Sequence, residues 1–274
     1  MLLKILFHNA FNFIIMAFLI CMVPVCPIRA DASHRSEQVS QLLFGEICEL
    51  LERTKDFVRV RVLFDNYDGW CQSAQLEQTE IDIFNENTML AADWVNTVAI
   101  RGQRMNIPFG SSLTFLNDEG LAKKHDMSYN GSFIDPAANT ISISLIKQFT
   151  HTFLNTSYIW GGRSVFGIDC SGFTQLVFKC LNVPLLRDAY QQATQGEEVG
   201  SLQEAACGDI AFFDNEAGRI THTGVILDPN TIIHASGKVR IDTLDESGII
   251  NADNGLRTHN LKIVKRLINS VGKD

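Results

Sequence analysis

Residues 142–181 constrain the fold most, because two helical patterns enclose a glycine-rich turn there. In residues 142–154 apolar side chains recur at spacings of about three and four, which is typical of an amphipathic helix. Residues 171–181 are more apolar and predict a buried helix. Strand-forming residues interrupted by turns occupy residues 209–267. Helices followed by strands predict an α+β domain, which we place at residues 140–274.

The N-terminal half of the chain predicts short β-strands. Apolar and polar residues alternate over residues 57–62, and the turn-forming run 66–70 follows. Short strands separated by frequent turns are typical of a compact barrel. We therefore predict a small β-barrel over residues 33–78, and a second, degenerate barrel or a linker region over residues 79–139.

Residues 1–32 differ in character from the rest of the chain. Lys4 precedes an apolar run over residues 11–25, and Ala30-Asp31-Ala32 resembles a cleavage site. This pattern predicts a secretory signal peptide, so we expect an exported, periplasmic protein that meets the membrane only through this segment. A membrane anchor is one alternative, because the run approaches the length that spans a bilayer. Acylation of Cys26 is another.

Charge and cysteine content exclude some functions. The formal net charge is −8, which argues against a nucleic-acid partner because such proteins carry a basic face. The cysteines lack zinc-ligand spacing, so no metal site is predicted. Loss of Cys21 and Cys26 with the signal would leave an odd number of cysteines, so at least one would lack a partner within the chain. Cys48 and Cys71 lie on predicted barrel strands and could pair in an oxidising compartment.

Cys170 stands at the start of the predicted buried helix, directly after the glycine-rich turn. Unpaired backbone N–H groups and the helix dipole favour a thiolate at such a position. Asp169 suits the cap of this helix. Its charge would oppose a thiolate if it pointed inward, so a histidine must supply part of the activation.

Two histidines lie on strand patterns that a turn over residues 228–230 connects. If residues 221–227 and 231–235 form a hairpin, His222 and His234 lie on neighbouring strands at nearly the same level. This arrangement predicts a cysteine nucleophile, with His222 as its base and His234 fixing the tautomer of that base.

A structural role is the alternative for each of these side chains. A cysteine in a helix is usually a small buried apolar residue, as we expect for Cys180 and Cys207. A histidine in a strand is more often a satisfied core or surface residue, as we expect for His125, His151 and His259. Physical reasoning alone leaves the triad and this alternative equally open.

Several short motifs in the second half occur together in a characteristic order and spacing. They are Tyr158-x-Trp160-Gly161-Gly162, Asp169-Cys170-Ser171-Gly172-Phe173, Gly208-Asp209-Ile210, His222-x-Gly224-Val225 and His234-Ala235. Over residues 142–267 they resemble the NlpC-type cell-wall cysteine peptidases. The resemblance implies a papain-like α+β fold, a triad of Cys170, His222 and His234, and hydrolysis within peptidoglycan stem peptides, often between D-glutamate and the diamino acid that follows. It also implies that Tyr158 helps to stabilise the developing oxyanion; a buried aromatic with a bonded hydroxyl is the alternative.

The N-terminal segment resembles a second known domain. The motifs are Ser36-Glu37-x-Val39-Ser40-Gln41-Leu42-Leu43-Phe44-Gly45-Glu46 and Tyr67-Asp68-Gly69-Trp70. They are similar to the bacterial SH3-like domain of the subgroup called dipeptidyl-peptidase VI or γ-D-glutamyl-L-diamino-acid endopeptidase. In that subgroup the SH3-like domain closes one end of the cleft, where a free N-terminal L-alanine amine is bound.

The resemblance implies an amine site, since a buried ammonium requires a carboxylate and neutral acceptors. The residues that match it are Glu37, Tyr67, Asp169, Ser171 and Asp188. Ala189 stands where a serine is common, so one contact differs from the pattern. For Glu37 and Asp188 the alternative is helix capping or a surface charge.

The leading hypothesis is an enzyme that releases L-Ala-γ-D-Glu from stem peptides through a thioester at Cys170. Its partner would be the free stem peptide L-Ala-γ-D-Glu-diamino acid, and no cofactor is implied, since thiolate and imidazole suffice. A peptidoglycan-binding module with an inert peptidase domain is one alternative. An acyltransferase or amidase acting on another cell-wall amide is the other.

Overall fold

The N-terminal barrel is a seven-stranded antiparallel sheet of order β3-β2-β6-β5-β4-β1-β7. It belongs to a computed structural model that describes residues 17–79, 88–117, 119–268 and 271–272. Strands β1–β7 are Phe18–Cys21, Val25–Arg29, Gln38–Leu43, Ile47–Arg53, Phe57–Val62, Asp68–Gln72 and Leu76–Thr79. A short 3-10 turn, Ser73–Gln75, precedes the last strand.

This barrel begins inside the segment predicted to be a signal peptide. β1 lies between β4 and β7, and β2 pairs with β3 and β6. Cys21 and Cys26 are completely buried in the barrel core. Cleavage after Ala32 would remove both strands, so the structure corrects the predicted cleavage site and the barrel start at residue 33. The buried thiol of Cys26 likewise excludes its acylation in this fold.

The N-terminal part of the predicted signal, residues 1–16, lies outside the described residues. In the part of the chain that is described, no helix is long and apolar enough to cross a membrane. Export stays a prediction.

Cys48 and Cys71, for which a disulfide was left open, are both free thiols in the barrel core. The thiol of Cys48 donates to the carbonyl of Leu19 at 3.5 Å. Burial raises the pKa of Cys48, so the thiol stays protonated. It is therefore unreactive, because the thiolate is the reactive form.

The middle segment combines short strands with one helix. β10, β9 and β11 form a three-stranded sheet, and β8 pairs with β12. The bounds of β8–β12 are Leu90–Ala91, Val95–Ile100, Gln103–Pro108, Met127–Tyr129 and Phe133–Ile134, with a 3-10 turn at Thr114–Asn117 and helix α1 at Glu119–His125. Val98 and Ile107 pack in one core with Ile20 and Phe44 of the barrel. An SH3-like origin of residues 79–139 stays a prediction, and residues 80–87 and 118 of that range lie outside the described residues.

The C-terminal part has the predicted α+β architecture. Its helices are α2 (Ile143–His151), α3 (Cys170–Cys180) and α4 (Ala189–Gln192), with a 3-10 turn at Leu202–Glu204. β13 (Arg163–Ser164) and β14 (Gly167–Ile168) form a small hairpin. The large antiparallel sheet has the order β15-β21-β16-β17-β18-β19-β20. Strands β15–β21 are Glu197–Glu198, Ile210–Asp214, Ile220–Asp228, Thr231–Ser236, Lys238–Asp245, Gly248–Ile250 and Arg257–Arg266.

Both predicted helices and the predicted hairpin are confirmed. Ser142 caps α2, accepting from the amide of Leu145 at 3.3 Å. Every residue of α3 is buried, and the helix packs against β17 and β18. β17 and β18 pair with Gly224 opposite His234.

A buried ion cluster joins the barrel to the α+β domain. The Glu46 carboxylate of the barrel accepts from Arg163 Nη2 at 2.8 Å and from Lys179 Nζ at 2.7 Å, and the three residues are 5%, 1% and 9% exposed. Burial alone would raise the pKa of Glu46, but the two cations hold it far below its usual range. The barrel is therefore fixed against the helix that carries Cys170.

The glycine pair of the Tyr-x-Trp-Gly-Gly motif has a packing role at the same interface. Gly161 has φ of +69°, and a Cβ there would lie 2.3 Å from the Gln38 carbonyl oxygen of the barrel. A Cβ at Gly162 would lie 2.5 Å from the Gly167 carbonyl oxygen. Only glycine permits this close approach between the barrel and the turn before α3.

Candidate active site

Asp169 fixes the start of α3. Its Oδ1 accepts from the amide of Gly172 at 2.6 Å, and its Oδ2 accepts from the amide of Gly161 at 3.0 Å. The buried guanidinium of Arg187 donates to both oxygens, at 3.1 and 2.6 Å, and its Nε donates to Ser40 of the barrel at 2.9 Å. Asp169 was expected to bind substrate; with both oxygens engaged, it acts here as a positioning group.

Cys170, the first residue of α3, faces the cleft and is 6% exposed. Burial and then Asp169 raise the pKa of this thiol to about 12, against the opposing effect of the Thr223 backbone amide. The group therefore rests as a thiol, not as the thiolate that the helix dipole was expected to favour. Contact with Thr223 places Cys170 beside the residue that follows His222.

The hairpin brings the two predicted histidines together. Nε2 of His222 lies 2.7 Å from Nδ1 of His234, and the rings are nearly perpendicular. Gly224 makes this possible, because a Cβ there would lie 2.7 Å from the Cβ of His234. The glycine of the His-x-Gly-Val motif is thus explained by the cross-strand contact.

Asp242, which the sequence did not reveal, extends this pair into a chain of hydrogen bonds. Its Oδ2 lies 2.9 Å from Nε2 of His234 and accepts from Arg240 Nε at 2.8 Å. Its Oδ1 accepts from Arg240 Nη2 at 2.9 Å and from the amide of Ala252 at 2.9 Å. Burial would raise the pKa of Asp242, but these partners hold it well below its usual range, so it is a carboxylate.

This carboxylate sets the tautomers of both rings. Because an ionised carboxylate only accepts hydrogen bonds, Nε2 of His234 must donate to Asp242. Nδ1 of a neutral His234 then accepts, so Nε2 of His222 is the donor between the rings. Nδ1 of His222 is left with a free lone pair, which is what a general base requires.

His259 packs directly on the base, although a plain surface or core role was expected for it. Its ring stacks on that of His222 with centroids 4.0 Å apart and planes at 21°. Burial, His234 and then His259 lower the pKa of His222 well below its ordinary value. His222 is therefore neutral at physiological pH, and its Nδ1 can accept a proton.

A cleft of about 550 Å³ opens over Cys170. The remaining residues predicted for the site all line it, namely Glu37, Tyr67, Tyr158, Ser171 and Asp188. Burial, Cys170 and Asp169 raise the pKa of Tyr158, so its hydroxyl stays protonated and can donate to a developing negative charge. The cleft is also lined by Trp160, Tyr190 and Arg219, which were not predicted to be site residues.

Glu37 lies across the domain interface from the catalytic residues and is oriented by Trp160. The indole Nε1 of Trp160 donates to the Glu37 carboxylate at 2.6 Å. Asp188 faces the same cleft from the start of α4, and burial raises its pKa. Within the described residues no cluster of three or more His, Cys, Asp or Glu side chains is arranged to hold a metal ion.

Comparison with known proteins identifies both parts of the chain. Residues 155–257 match the NlpC/P60 family, and residues 28–76 match the bacterial dipeptidyl-peptidase SH3 domain. A probable endopeptidase of Haemophilus influenzae is 31% identical over 125 residues, which are 45% of this chain and 72% of that protein. The chain belongs to the NlpC/P60 family. The SH3 match starts at residue 28 and agrees with a barrel that extends N-terminal to residue 33.

Two further proteins resemble this NlpC/P60 chain over most of its length. The γ-D-glutamyl-L-lysine dipeptidyl-peptidase of Bacillus subtilis is 28% identical over 228 residues, which cover 76% of each chain. An NlpC/P60 family protein from Bacillus cereus superimposes with a TM-score of 0.73 at 20% identity, over 91% of this chain and 99% of that one, and shows the same fold. With peptidases among its relatives, the protein is a hydrolase of the peptidase class.

Replacing Asp242 with asparagine is expected to lower kcat by about 100-fold with little change in KM, because the His234 tautomer is no longer fixed. Steady-state kinetics on a stem tripeptide across a pH series would measure this. Loss of the carboxylate should also alter the acid limb of the kcat profile, which a purely structural role would not do.

Asp245→Asn is the matched control for this variant. Asp245 ends the same strand but pairs with Arg257 at the surface, at 2.7 Å. The Asp245→Asn variant should have the same kcat and the same pH profile as the wild type. A wild-type pH profile in Asp242→Asn would contradict the role assigned to this carboxylate.

Proposed function

We propose that the protein is a cysteine endopeptidase that hydrolyses the bond between γ-D-glutamate and the diamino acid in peptidoglycan stem peptides with a free N-terminal L-alanine. The observation that carries the proposal is one cleft that contains Cys170 together with the carboxylates of Glu37 and Asp188. The name of the Bacillus subtilis relative supports the choice of bond. The chain of hydrogen bonds from His222 to Asp242 supports an active enzyme rather than an inert binding module.

The resting pair of thiol and imidazole defines the first chemical step. As the Cys170 sulfur attacks the scissile carbonyl, its proton passes to Nδ1 of His222. The tetrahedral oxyanion is stabilised by donors at the start of α3 and by the hydroxyl of Tyr158. Collapse breaks the C–N bond, and the imidazolium of His222 gives its proton to the departing amine.

Deacylation repeats the same proton transfers with water. His222 removes a proton from water as the oxygen attacks the thioester carbonyl. The sulfur leaves, takes the proton from the imidazolium, and restores the thiol. The dipeptide L-Ala-γ-D-Glu is released as a free acid. Apart from the substrate, each step uses only groups of this protein and water.

The barrel explains why a free amine would be required. Glu37 and Tyr67 close the cleft on the barrel side, and Asp188 faces them from α4. Burial and then Asp188 raise the pKa of Tyr67, so its hydroxyl stays intact and its oxygen can accept from an ammonium. Two carboxylates and a neutral acceptor match an N-terminal ammonium, whereas an acylated nitrogen would leave the carboxylates without a counter-charge.

N-acetylation of L-Ala-γ-D-Glu-meso-diaminopimelate is therefore expected to lower kcat/KM by about 100-fold or more. Dipeptide release would be followed by mass spectrometry for the free and acetylated peptides. Glu37→Gln should reduce cleavage of the free peptide selectively. Glu52→Gln, an exposed barrel residue away from the cleft, is the matched control.

Equal cleavage of both peptides would support the peptidase activity. It would contradict the amine site proposed at Glu37, Tyr67 and Asp188. Cleavage of neither peptide would instead favour a binding module or another cell-wall amide as the substrate.

A further inference from the structure

The charges that line the active-site cleft are unbalanced. Glu37, Asp169 and Asp188 contribute carboxylates, and among the described residues that line the cleft Arg219 alone contributes a cation. Asp169 is already paired with Arg187, so Glu37 and Asp188 are the acids that match the amine end of the proposed substrate. They do not match its glutamate, which carries a free α-carboxylate when its γ-carbonyl forms the peptide bond.

Arg219 is held over the cleft by its own turn. The Asn215 side-chain oxygen accepts from the amide of Arg219 at 3.1 Å, and the amide of Asn215 donates to the Arg219 carbonyl at 3.0 Å. Gly218 completes the turn with φ of +74°. β17 follows at once, so a short, fixed backbone connects Arg219 to the base His222.

The guanidinium is oriented by an aromatic ring beside the amine site. It lies over the ring of Tyr190 at 5.6 Å from the centroid, and the hydroxyl of Tyr190 bonds to the carboxylate of Asp188. In the part of the chain that the structure describes, Arg219 forms no ion pair. Its donors therefore remain available to a ligand.

The substrate presents its charged groups and its scissile bond in a fixed order. From the N-terminus, the substrate presents an ammonium, then the α-carboxylate of D-glutamate, then the scissile γ-carbonyl. In the protein, Asp188 bonds to Tyr190, Arg219 lies over the ring of Tyr190, and Arg219 directly precedes the strand that carries His222, so contacts connect the acid, the cation and the base in the same order. An α-linked peptide has no free α-carboxylate at the second position.

We propose that Arg219 binds the free α-carboxylate of the γ-linked D-glutamate and makes the enzyme select an ionised carboxylate there over its amide. This inference rests on the proposed function and assigns a specificity residue within it. A guanidinium and a carboxylate form charge-assisted hydrogen bonds, whereas a carboxamide carries no charge and offers only one acceptor.

The test compares L-Ala-γ-D-Glu-L-Lys with the same peptide carrying D-isoglutamine, in which the α-carboxylate is amidated. The wild-type enzyme is expected to favour the acid by about tenfold in kcat/KM, mostly through KM. Arg219→Gln should lose about tenfold on the acid and little on the amide. The preference of the wild type should weaken as salt rises, because Arg219 is exposed.

Arg61→Gln is the matched control. Arg61 lies in the neighbouring cavity, where it pairs with Asp68 at 2.8 Å, and it does not line the cleft. The Arg61→Gln variant should keep the preference of the wild type for the acid peptide over the amidated one. Equal losses on both peptides in Arg219→Gln, or an unchanged preference, would overturn the inference while leaving the peptidase in place.

If the wild type cleaves neither peptide, the proposed function fails. The inference is then decided by calorimetric binding of L-Ala-γ-D-Glu and L-Ala-γ-D-isoglutamine to wild type and Arg219→Gln. Tighter binding of the acid by the wild type only would support the assignment of Arg219, and equal affinities would refute it.

Discussion

Replacing Cys170 with alanine is expected to lower turnover of L-Ala-γ-D-Glu-L-Lys by about 10⁴-fold or more, because the neighbouring hydroxyl of Ser171 is bonded to Asp169 and Arg187 and does not replace the thiol in forming the acyl intermediate. The thiol is 6% exposed and faces the cleft, so its removal leaves the surrounding packing nearly intact. Dipeptide release, followed by mass spectrometry, measures the loss. Circular dichroism and thermal unfolding verify that the variant folds.

Cys180→Ala provides the matched control for this variant. Cys180 ends the same helix, is completely buried, and packs in the domain core instead of the cleft. The Cys180→Ala variant should be less stable than the wild type, but the folded variant should retain its turnover. Activity of Cys170→Ala within tenfold of the wild type would exclude the cysteine mechanism and require another nucleophile.

The local structure around the three residues of the proposed triad could be predicted because its signals are local. Cys170 follows a glycine-rich turn and a capping aspartate, and the structure shows both the cap and the turn. His222 and His234 lie on two strands that a short turn connects, so their proximity follows from the hairpin alone. The cap at Cys170 and the pairing of the two histidines required no knowledge of how distant parts of the chain meet.

Asp242 and His259 could not be predicted, since tertiary pairing alone brings them to the site. Asp242 lies on β19, and only the register of β19 against β18 places it beside His234. His259 lies on β21, which reaches the base by pairing with β16 and β20. Arg240 and Asp242 lie two residues apart and so share one face of the strand. This spacing was the sequence signal for Asp242, and by itself it indicates a surface ion pair.

The predicted end of the signal peptide at residue 32 conflicts with the barrel for a physical reason. β1 is buried on both faces, because Leu19 and Cys21 pack in the barrel core while Ile20 packs in the core shared with the middle segment. A strand buried on both faces is a continuous apolar run, without the alternation of a half-exposed strand. Such a run has the same composition as the apolar part of a secretory signal.

Replacing Glu46 with alanine is expected to lower the free energy of unfolding by about 3–5 kcal/mol, because Arg163 and Lys179 would remain buried without their counter-charge. Equilibrium urea unfolding near neutral pH would measure the change. Glu119→Ala is the control, since it removes an exposed carboxylate paired with Lys123 at 2.8 Å and should cost less than about 0.5 kcal/mol.

The destabilisation caused by Glu46→Ala should depend on pH, and the direction follows from the pKa of Glu46. The folded-state pKa of Glu46 is depressed, so its stabilising contribution is complete above the ordinary carboxyl pKa and is lost as pH falls below it. The stability gap between wild type and Glu46→Ala should therefore narrow below about pH 4. A gap that stays constant into acid would show that lost packing, not charge, causes the destabilisation.

Replacing all three residues of the ion cluster separates the effect of unpaired charge from the effect of lost packing. In the combined variant Glu46→Leu, Arg163→Met and Lys179→Met no charge is left buried, so much of the lost stability should return. The barrel would then be fixed to the α+β domain by apolar contact and by the bond from Arg187 to Ser40. If the combined variant is as unstable as Glu46→Ala, the buried ions themselves hold the domains together, and the apolar replacement does not substitute for them.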